Sequence, residues 1–385
     1  MSAMEPPVAV SDTSIKRRIR GGHGSIVVLL AKPRARSDDA TELVRNAVKK
    51  ANASPDHRGA VNGDCVFAAD AGAMFHLEVD DWDDGTRAWL SNLAAELDGS
   101  GWSGTILAPS ASWYPQAAWR FRDSHPAWFG HLALTQTRRS LGTYGYDELV
   151  VADRTIEQAS RYAVSWIQSI EGTHYLMPGV PQIKIGKLLP ASEVIAIGVR
   201  KNQQIGASTL NLKPLAERRV HFGYGNRIDF TAKGIDELWP TSVTALREAL
   251  VSLGHLADWA SVHHASDFHE QRGGVERGLD HLAWRENRFL WRSLVPDPYG
   301  IQVLTCAHLE RATRLDGWKI TPLGHDRHLV EAEDIEPWYA TAKPDPAVRA
   351  QARDDFGAML MTEHSIRADP NGWYRGMPPR VGFLD

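Results

Sequence analysis

Cysteine is scarce in this sequence. Its 385 residues include two, Cys65 and Cys306, far apart and each in a strand-like run. Two isolated thiols exclude a disulfide scaffold and a zinc ribbon, and they predict buried thiols in a reducing compartment. Long apolar runs are missing too. The tightest, Ile26 to Ala31, falls far short of the about 20 residues that a bilayer-spanning helix needs. Neither sign of charge prevails: 43 Lys and Arg stand against 47 Asp and Glu, for a net charge of −4. A nucleic-acid binder shows a basic stripe. The one compact basic run here, Lys16-Arg17-Arg18-Ile19-Arg20, lies in a segment without periodicity. The opening "MSAMEPPVAVSDTS" has no basic stretch leading into an apolar one, as a secretory signal would. These absences predict a cytoplasmic protein with neither a membrane nor a nucleic acid among its partners.

Complete catalytic motifs are also wanting. "GGHGS" (21–25) precedes a strand rather than opening a helix, so it lacks the setting of a dinucleotide fingerprint or a P-loop. "GYGN" (223–226) lies between two strand-like runs and reads as a turn. "GWSGT" (101–105) lacks the spacing of a nucleophile elbow. No cofactor is expected.

What is present is ample core material. The chain is 43% hydrophobic and 23% charged, with 14 Trp. Its length corresponds to two or three domains of roughly 150 residues. After a tail over 1–24, apolar periodicity alternates between strand and helix. "SIVVLLAK" (25–32) reads as a buried strand. "SDDATELVRNAVKKANA" (37–53) has Leu43, Val44, Ala47, Val48 and Ala51 at helical spacing. "DCVFAADAGAMFHLEVDD" (64–81) divides into two strands. "DGTRAWLSNLAAELDGSG" (84–101) is a second amphipathic helix, and "SGTILAPS" (103–110) closes as a strand. The order βαββαβ is the ferredoxin-like pattern, assigned with its aromatic connector to 25–127.

A larger mixed α/β module is expected over 128–330, followed by a C-terminal extension over 331–385. Strands are predicted at "WFGHLALTQ" (128–136), "EVIAIGVR" (193–200), "GASTLNLK" (206–213), "RRVHFGYGNRIDFT" (218–231) and "YGIQVLTCA" (299–307). Helices are predicted at 153–170, 345–362 and, as one long element, at 239–264. The overall class is α/β (α+β).

"SVHHASDFHEQRGG" (261–274) concentrates His263, His264, Asp267, His269 and Glu270. A catalytic zinc takes three such ligands and leaves one position open. The spacing matches none of the metal motifs with a known mechanism, and histidines at a helix end complement its dipole. The reading adopted is therefore a helix end and loop, with a metal-dependent hydrolase as the alternative. "GHDRH" (324–328) offers His325, Asp326 and His328, and His325, Arg327 and His328 are expected in a solvated turn after Gly324. "AWRENRFLWR" (283–292) interleaves aromatic and Arg residues, the commonest hot-spot material at protein interfaces. Trp284, Arg285, Arg288, Phe289, Trp291 and Arg292 are the expected partner contacts.

The segment "LVPDPYGIQVLTCAHLERATRLDGWKITPL" (294–323) resembles the C-terminal part of bacterial immunity proteins of polymorphic-toxin and type VI secretion systems. Pro296, Asp297, Tyr299, Leu304, His308, Leu315 and Gly317 match the outline, while Asp316 and Gly300 depart from it. "LADWASVHHA" (256–265) and "ARDDFGAMLMT" (352–362) occupy matching places, so that the resemblance covers about a third of the chain. It implies a non-enzymatic α/β protein that binds and neutralises a toxin. A structural subunit of a phage or secretion particle is the third reading.

Overall fold

The computed structural model describes residues 8–18, 24–31, 40–53, 59–61, 66–69, 72–79, 81–107, 127–141, 146–177, 183–184, 191–200, 204–212, 215–223, 226–234, 239–264 and 291–368. The chain is of mixed α/β class and divides into two compact units. One comprises 1–117, 156–164 and 173–208, the other 118–155, 165–172 and 209–385.

The first unit begins with β1 (Ala9–Val10), α1 (Asp12–Arg18), β2 (Gly24–Ala31) and α2 (Ala40–Asn52). There follow β3 (Gly59–Val61), β4 (Phe67–Ala69), β5 (Gly72–Val79), α3 (Asp84–Gly99) and β6 (Ser103–Leu107). The sheet order is β1-β6-β2-β5-β3, with β4 also on β5. The pairs β2–β5, β2–β6 and β3–β5 are antiparallel, and β1 joins β6 in parallel. The parallel edge strand and the doubled partner of β5 depart from the plain βαββαβ arrangement that the sequence led us to expect. Helix α3 starts where Asp83 accepts a hydrogen bond from the Thr86 N–H at 2.7 Å, an N-cap that satisfies one of the first orphan donors. Its buried stripe of Trp89, Leu90, Leu93, Ala94 and Leu97 packs with Val44, Ala47 and Val48 of α2 into one core.

The middle of the chain supplies β7 (Trp128–Leu134), β8 (Gln136–Leu141), β9 (Tyr146–Val151), α4 (Asp153–Ile167), β10 (Thr173–Met177), β11 (Ile183–Lys184) and α5 (Ala191–Arg200). Residues 193–200, expected as a strand, are helical. Ala191, Val194, Ile195, Ala196 and Gly198 are the buried set, and Ala191, Val194, Ile195 and Gly198 among them fall at helical spacing. A short apolar run fits both periods. Here Gly198 also brings the helix close to Phe67 and Ile205: a Cβ on it would lie 3.2 and 3.1 Å from them.

The remaining elements are β12 (Ile205–Leu212), β13 (Leu215–Phe222), β14 (Arg227–Gly234), α6 (Trp239–Leu253), β15 (Ala257–His264), β16 (Ile301–Thr305), α7 (Cys306–Leu309), β17 (Trp318–Gly324), β18 (Arg327–Ala332), α8 (Glu336–Tyr339), α9 (Pro346–Phe356) and α10 (Glu363–Ala368). In the larger unit, strands pair antiparallel in the order β13-β14-β7-β15-β16-β18-β17. Helix α6 packs on one face of this sheet. Leu246 and Leu250 lie against Gly130 of β7, where an added Cβ would sit 3.3 and 3.4 Å from them.

The long helix expected over 239–264 is two elements. It stops at Leu253, turns through Gly254–Leu256 and continues as β15. Gly254 fixes the break by close approach: a side chain there would meet Leu323 at 2.6 Å and Val303 at 2.9 Å. Cys306, expected in a strand as a buried thiol, opens α7 and is part-exposed. Cys65 lies outside the described residues.

Candidate functional site: a polar row across the sheet

Strand periodicity sends the even residues of β7 toward α6 and the odd ones to the opposite face. On that opposite face the register aligns one polar residue from each of five neighbouring strands. His221 of β13 pairs with Asp229 of β14, which pairs with His131 of β7. His131 pairs with Ser261 of β15, and Ser261 pairs with Gln302 of β16. His131, Ser261 and Gln302 are all buried. Aromatic rings border the row. Trp259 stacks on Trp291 with centroids 4.8 Å apart and lies 5.3 Å from His131. Tyr299 is 6.0 Å from Trp259 and 5.5 Å from His263.

The row is electrostatically organised. His131 Nδ1 and Asp229 Oδ1 are 2.8 Å apart, and Arg227 Nε donates to the same carboxylate at 2.8 Å. Burial alone would raise the Asp229 pKa. Hydrogen bonds with His131 and His221, and the charge of Arg227, overcome it and hold the carboxyl well below its usual range. Asp229 is thus an anion, so His131 Nδ1 carries the bonded proton. His263, whose Nδ1 lies 3.3 Å from Ser261 Oγ, is pushed well below the ordinary imidazole range, first by burial and then by repulsion from His131. It is a neutral ring, stacked 6.1 Å from Phe129.

A second buried carboxylate anchors the start of β15. Asp258 accepts from Thr135 Oγ1 at 2.9 Å, from Arg292 Nε at 3.2 Å and from Arg327 Nη2 at 2.7 Å. Arg292 also donates to the Gln136 carbonyl at 2.5 Å, and Thr305 Oγ1 donates to the Arg292 carbonyl at 2.6 Å. A satisfied network of this kind is rigid, and removing one member leaves charges stranded in a poor dielectric.

The sequence-predicted residues fall as follows. His263 and His264 are on strand β15, not at a helix end, and both are buried. As neighbours on a strand they project to opposite faces, so one ion cannot readily hold both. Asp267, His269 and Glu270 lie outside the described residues. Among the described residues no group of three or more His, Cys, Asp or Glu is placed to hold a metal ion. His325 and Asp326, with φ of 50° and 59°, form the two-residue turn between β17 and β18. This is the conformation tight hairpins require. Of the expected partner contacts, Trp291 is packed on Trp259 and Arg292 is bonded to Asp258. Trp284, Arg285, Arg288 and Phe289 lie outside the described residues.

The residues behind the family resemblance are largely interior. Asp297, 1% exposed, is gripped by Arg353 at 2.8 and 2.9 Å. His308 accepts from the Thr305 N–H at 3.0 Å, while Thr305 Oγ1 accepts from the His308 N–H at 3.2 Å. This reciprocal cap is buried, and burial pushes the His308 pKa to about 3. Gly317 takes φ +84°.

Sequence reasoning missed the cross-sheet row. Its members are spread from His131 to Gln302, and only strand register brings them together. Alternation in "RIDFT" (227–231) and "GHL" (130–132) was the available signal.

No family model matches this sequence, and no curated protein does. Among solved structures, a Pseudomonas aeruginosa T6SS protein is similar with a TM-score of 0.36 at 9% identity, over 61% of this chain and 74% of its own. A protein from Galdieria sulphuraria is similar with a TM-score of 0.23 at 12% identity, over 63% of this chain and 97% of its own.

Proposed function

We propose that the chain is a protein-binding protein of the immunity type, which neutralises a toxin by occupying it. The observation that carries this reading is where the reactive side chains are spent. Asp229, His131, Asp258, Asp297 and His308 are committed to partners inside the larger unit. Groups fixed in this way build a rigid platform. A platform of that kind presents binding loops well, because contacts on rigid elements lose little entropy on association. The matched residues Asp297, Tyr299, Leu304 and His308 are buried, as framework residues of a shared fold would be.

In this proposal Trp291 and Arg292 anchor the aromatic–Arg segment to Trp259 and Asp258. Trp284, Arg285, Arg288 and Phe289 meet the partner. Calorimetric titration with secreted toxins encoded beside its gene tests the reading. Binding is expected with one of them, and Trp284→Ala with Arg288→Ala should weaken it by about 2 kcal/mol or more. Consistent failure to bind any such protein would overturn the reading.

A further inference from the structure

Two polar side chains on the sheet face of the larger unit are buried and, among the described residues, unpartnered. Gln302 is 0% exposed, and neither its Nε2 nor its Oε1 has a hydrogen-bond partner. Trp259, also 0% exposed, has none at its indole Nε1. Register places them close together, since Gln302 stands opposite Ser261, two residues along β15 from Trp259. Buried polar groups are nearly always paired, and leaving a primary amide unpaired is costly. The network beside them does not need them: Asp229 is taken up by His131 and Arg227, and Ser261 lies against His263.

The surroundings define what would satisfy these atoms. The borders are flat aromatic rings, Trp259, Trp291 and Tyr299, which favour a planar molecule. The Asp229 anion is already countered by Arg227 at 2.8 Å, and His263 is neutral. Gln302 offers a donor and an acceptor side by side, and Trp259 offers a donor.

We propose that this face binds a small, planar, neutral molecule whose edge presents a donor beside an acceptor, as a carboxamide does. Gln302 pairs with that edge and the Trp259 indole N–H donates to a further acceptor. The site shares Trp259 and Trp291 with the anchor of the protein-binding segment proposed above, but its test reads small-molecule binding alone and does not depend on that reading.

The experiment titrates nicotinamide into the full chain, with nicotinate in parallel, and follows the indole ¹⁵N–¹H resonances. Nicotinamide should saturate and shift the resonance of a buried indole. Nicotinate keeps the ring but has no donor on its carboxylate, and it should bind at least about tenfold more weakly. Gln302→Met should weaken the nicotinamide response by at least about tenfold while leaving the thermal midpoint equal or higher. Should that variant fail to fold, the comparison of the two ligands on the unaltered chain still decides. Equal binding of both, no saturation by nicotinamide at about 10 mM, or a crystal grown with nicotinamide that shows only a water on Gln302 would overturn the proposal.

Discussion

The smaller unit fills its interior with Trp89, Leu90, Leu93, Leu97, Phe75 and Leu77. The larger unit also has an apolar interior, but it sets charged groups within it. Among the described residues, the buried Asp, Glu, Lys and Arg all belong to the larger unit: Glu217, Arg218, Lys233, Asp258, Asp297, Glu331 and Asp355. The two designs fail differently. An apolar core loses stability in proportion to the volume removed. A buried ion network fails when one partner is removed, because the others keep their desolvation cost and lose its compensation. The difference also points to where specificity of structure is enforced. Pairs such as Asp297 with Arg353, and Asp355 with Arg314 and the Trp318 indole, tie helix α9 to the segment before β16, to the loop before β17 and to β17 itself at defined positions.

The sharpest way to break this comparison is Asp258→Ala. It takes the carboxylate from Arg327, whose side chain is 13% exposed and, among the described residues, keeps only the Ala257 and His325 carbonyls and the Thr135 hydroxyl, and removes a partner of Arg292. The expected loss is about 3–5 kcal/mol, read by denaturant unfolding, with the transition of the larger unit moving first. Leu93→Ala in the smaller unit should cost about 2–5 kcal/mol through its cavity and leave near-UV signals from Trp259 and Trp291 unchanged. A loss below about 1 kcal/mol for Asp258→Ala would mean that the network is not what holds β15 in place.

The pair His263→Ala and His264→Ala comes next. A helix-end placement would make this change nearly silent. Both rings are instead buried in β15, His264 edge-on to Trp128 at 4.8 Å and His263 stacked on Phe129. The double variant should cost about 2–4 kcal/mol without releasing any metal, checked by thermal unfolding and elemental analysis.

Acid should separate the two units further. The His308 pKa is lowered from 6.5 to about 3 in the fold. Above pH 6.5 the ring is neutral folded or unfolded, so its contribution is fully present. As pH falls toward 3, the unfolded chain takes up a proton that the fold refuses, and stability drops. At pH 5 the loss is roughly 2 kcal/mol. His263 shifts in the same direction and adds to it. Asp229, held low in the fold, adds a loss only below the usual carboxylate range. Unfolding measured from pH 8 to 4 should show the steeper slope in the larger unit, and His308→Asn should flatten it.

Gly300→Ala is a finer probe. Its new Cβ would fall 2.5 Å from Trp338 Cγ, so the strand or the indole must shift. About 1–3 kcal/mol is expected, with Val251→Thr, at an exposed position of α6, as a control within about 0.5 kcal/mol.

In the first unit α2, α3 and the strands β2, β5 and β6 were legible, because apolar periodicity is a local signal, whereas β1 and α1 lie in the stretch read as a tail and α5 in a run read as a strand. The larger unit was less legible. In 239–264 the stripe Val243, Leu246, Leu250, Leu253, Ala257, Ala260 continues at helical spacing past the true end. What stops the helix is the approach of Leu323 and Val303 to Gly254, from residues some 50 to 70 positions away. The polar row was hidden for the same reason: Gln302 and His131 become near neighbours only through Ser261 in the sheet. Local periodicity carries no information on which strands will be adjacent. The turn after Gly324 was readable because its cause is local, but Arg327 and His328, read into the same turn, open β18, where Arg327 reaches the buried Asp258.

We propose that the larger unit is a rigid platform whose reactive groups serve its own structure while the chain binds another protein. Asp229→Asn tests it most directly, since it leaves the fold isosteric and removes the charge that organises His131 and Arg227. Titration of this variant and of the unaltered chain against one toxin partner should give affinities within about threefold, with a lower thermal midpoint for the variant. Unchanged stability together with abolished activity would contradict the account, because Asp229 would then be serving chemistry rather than structure.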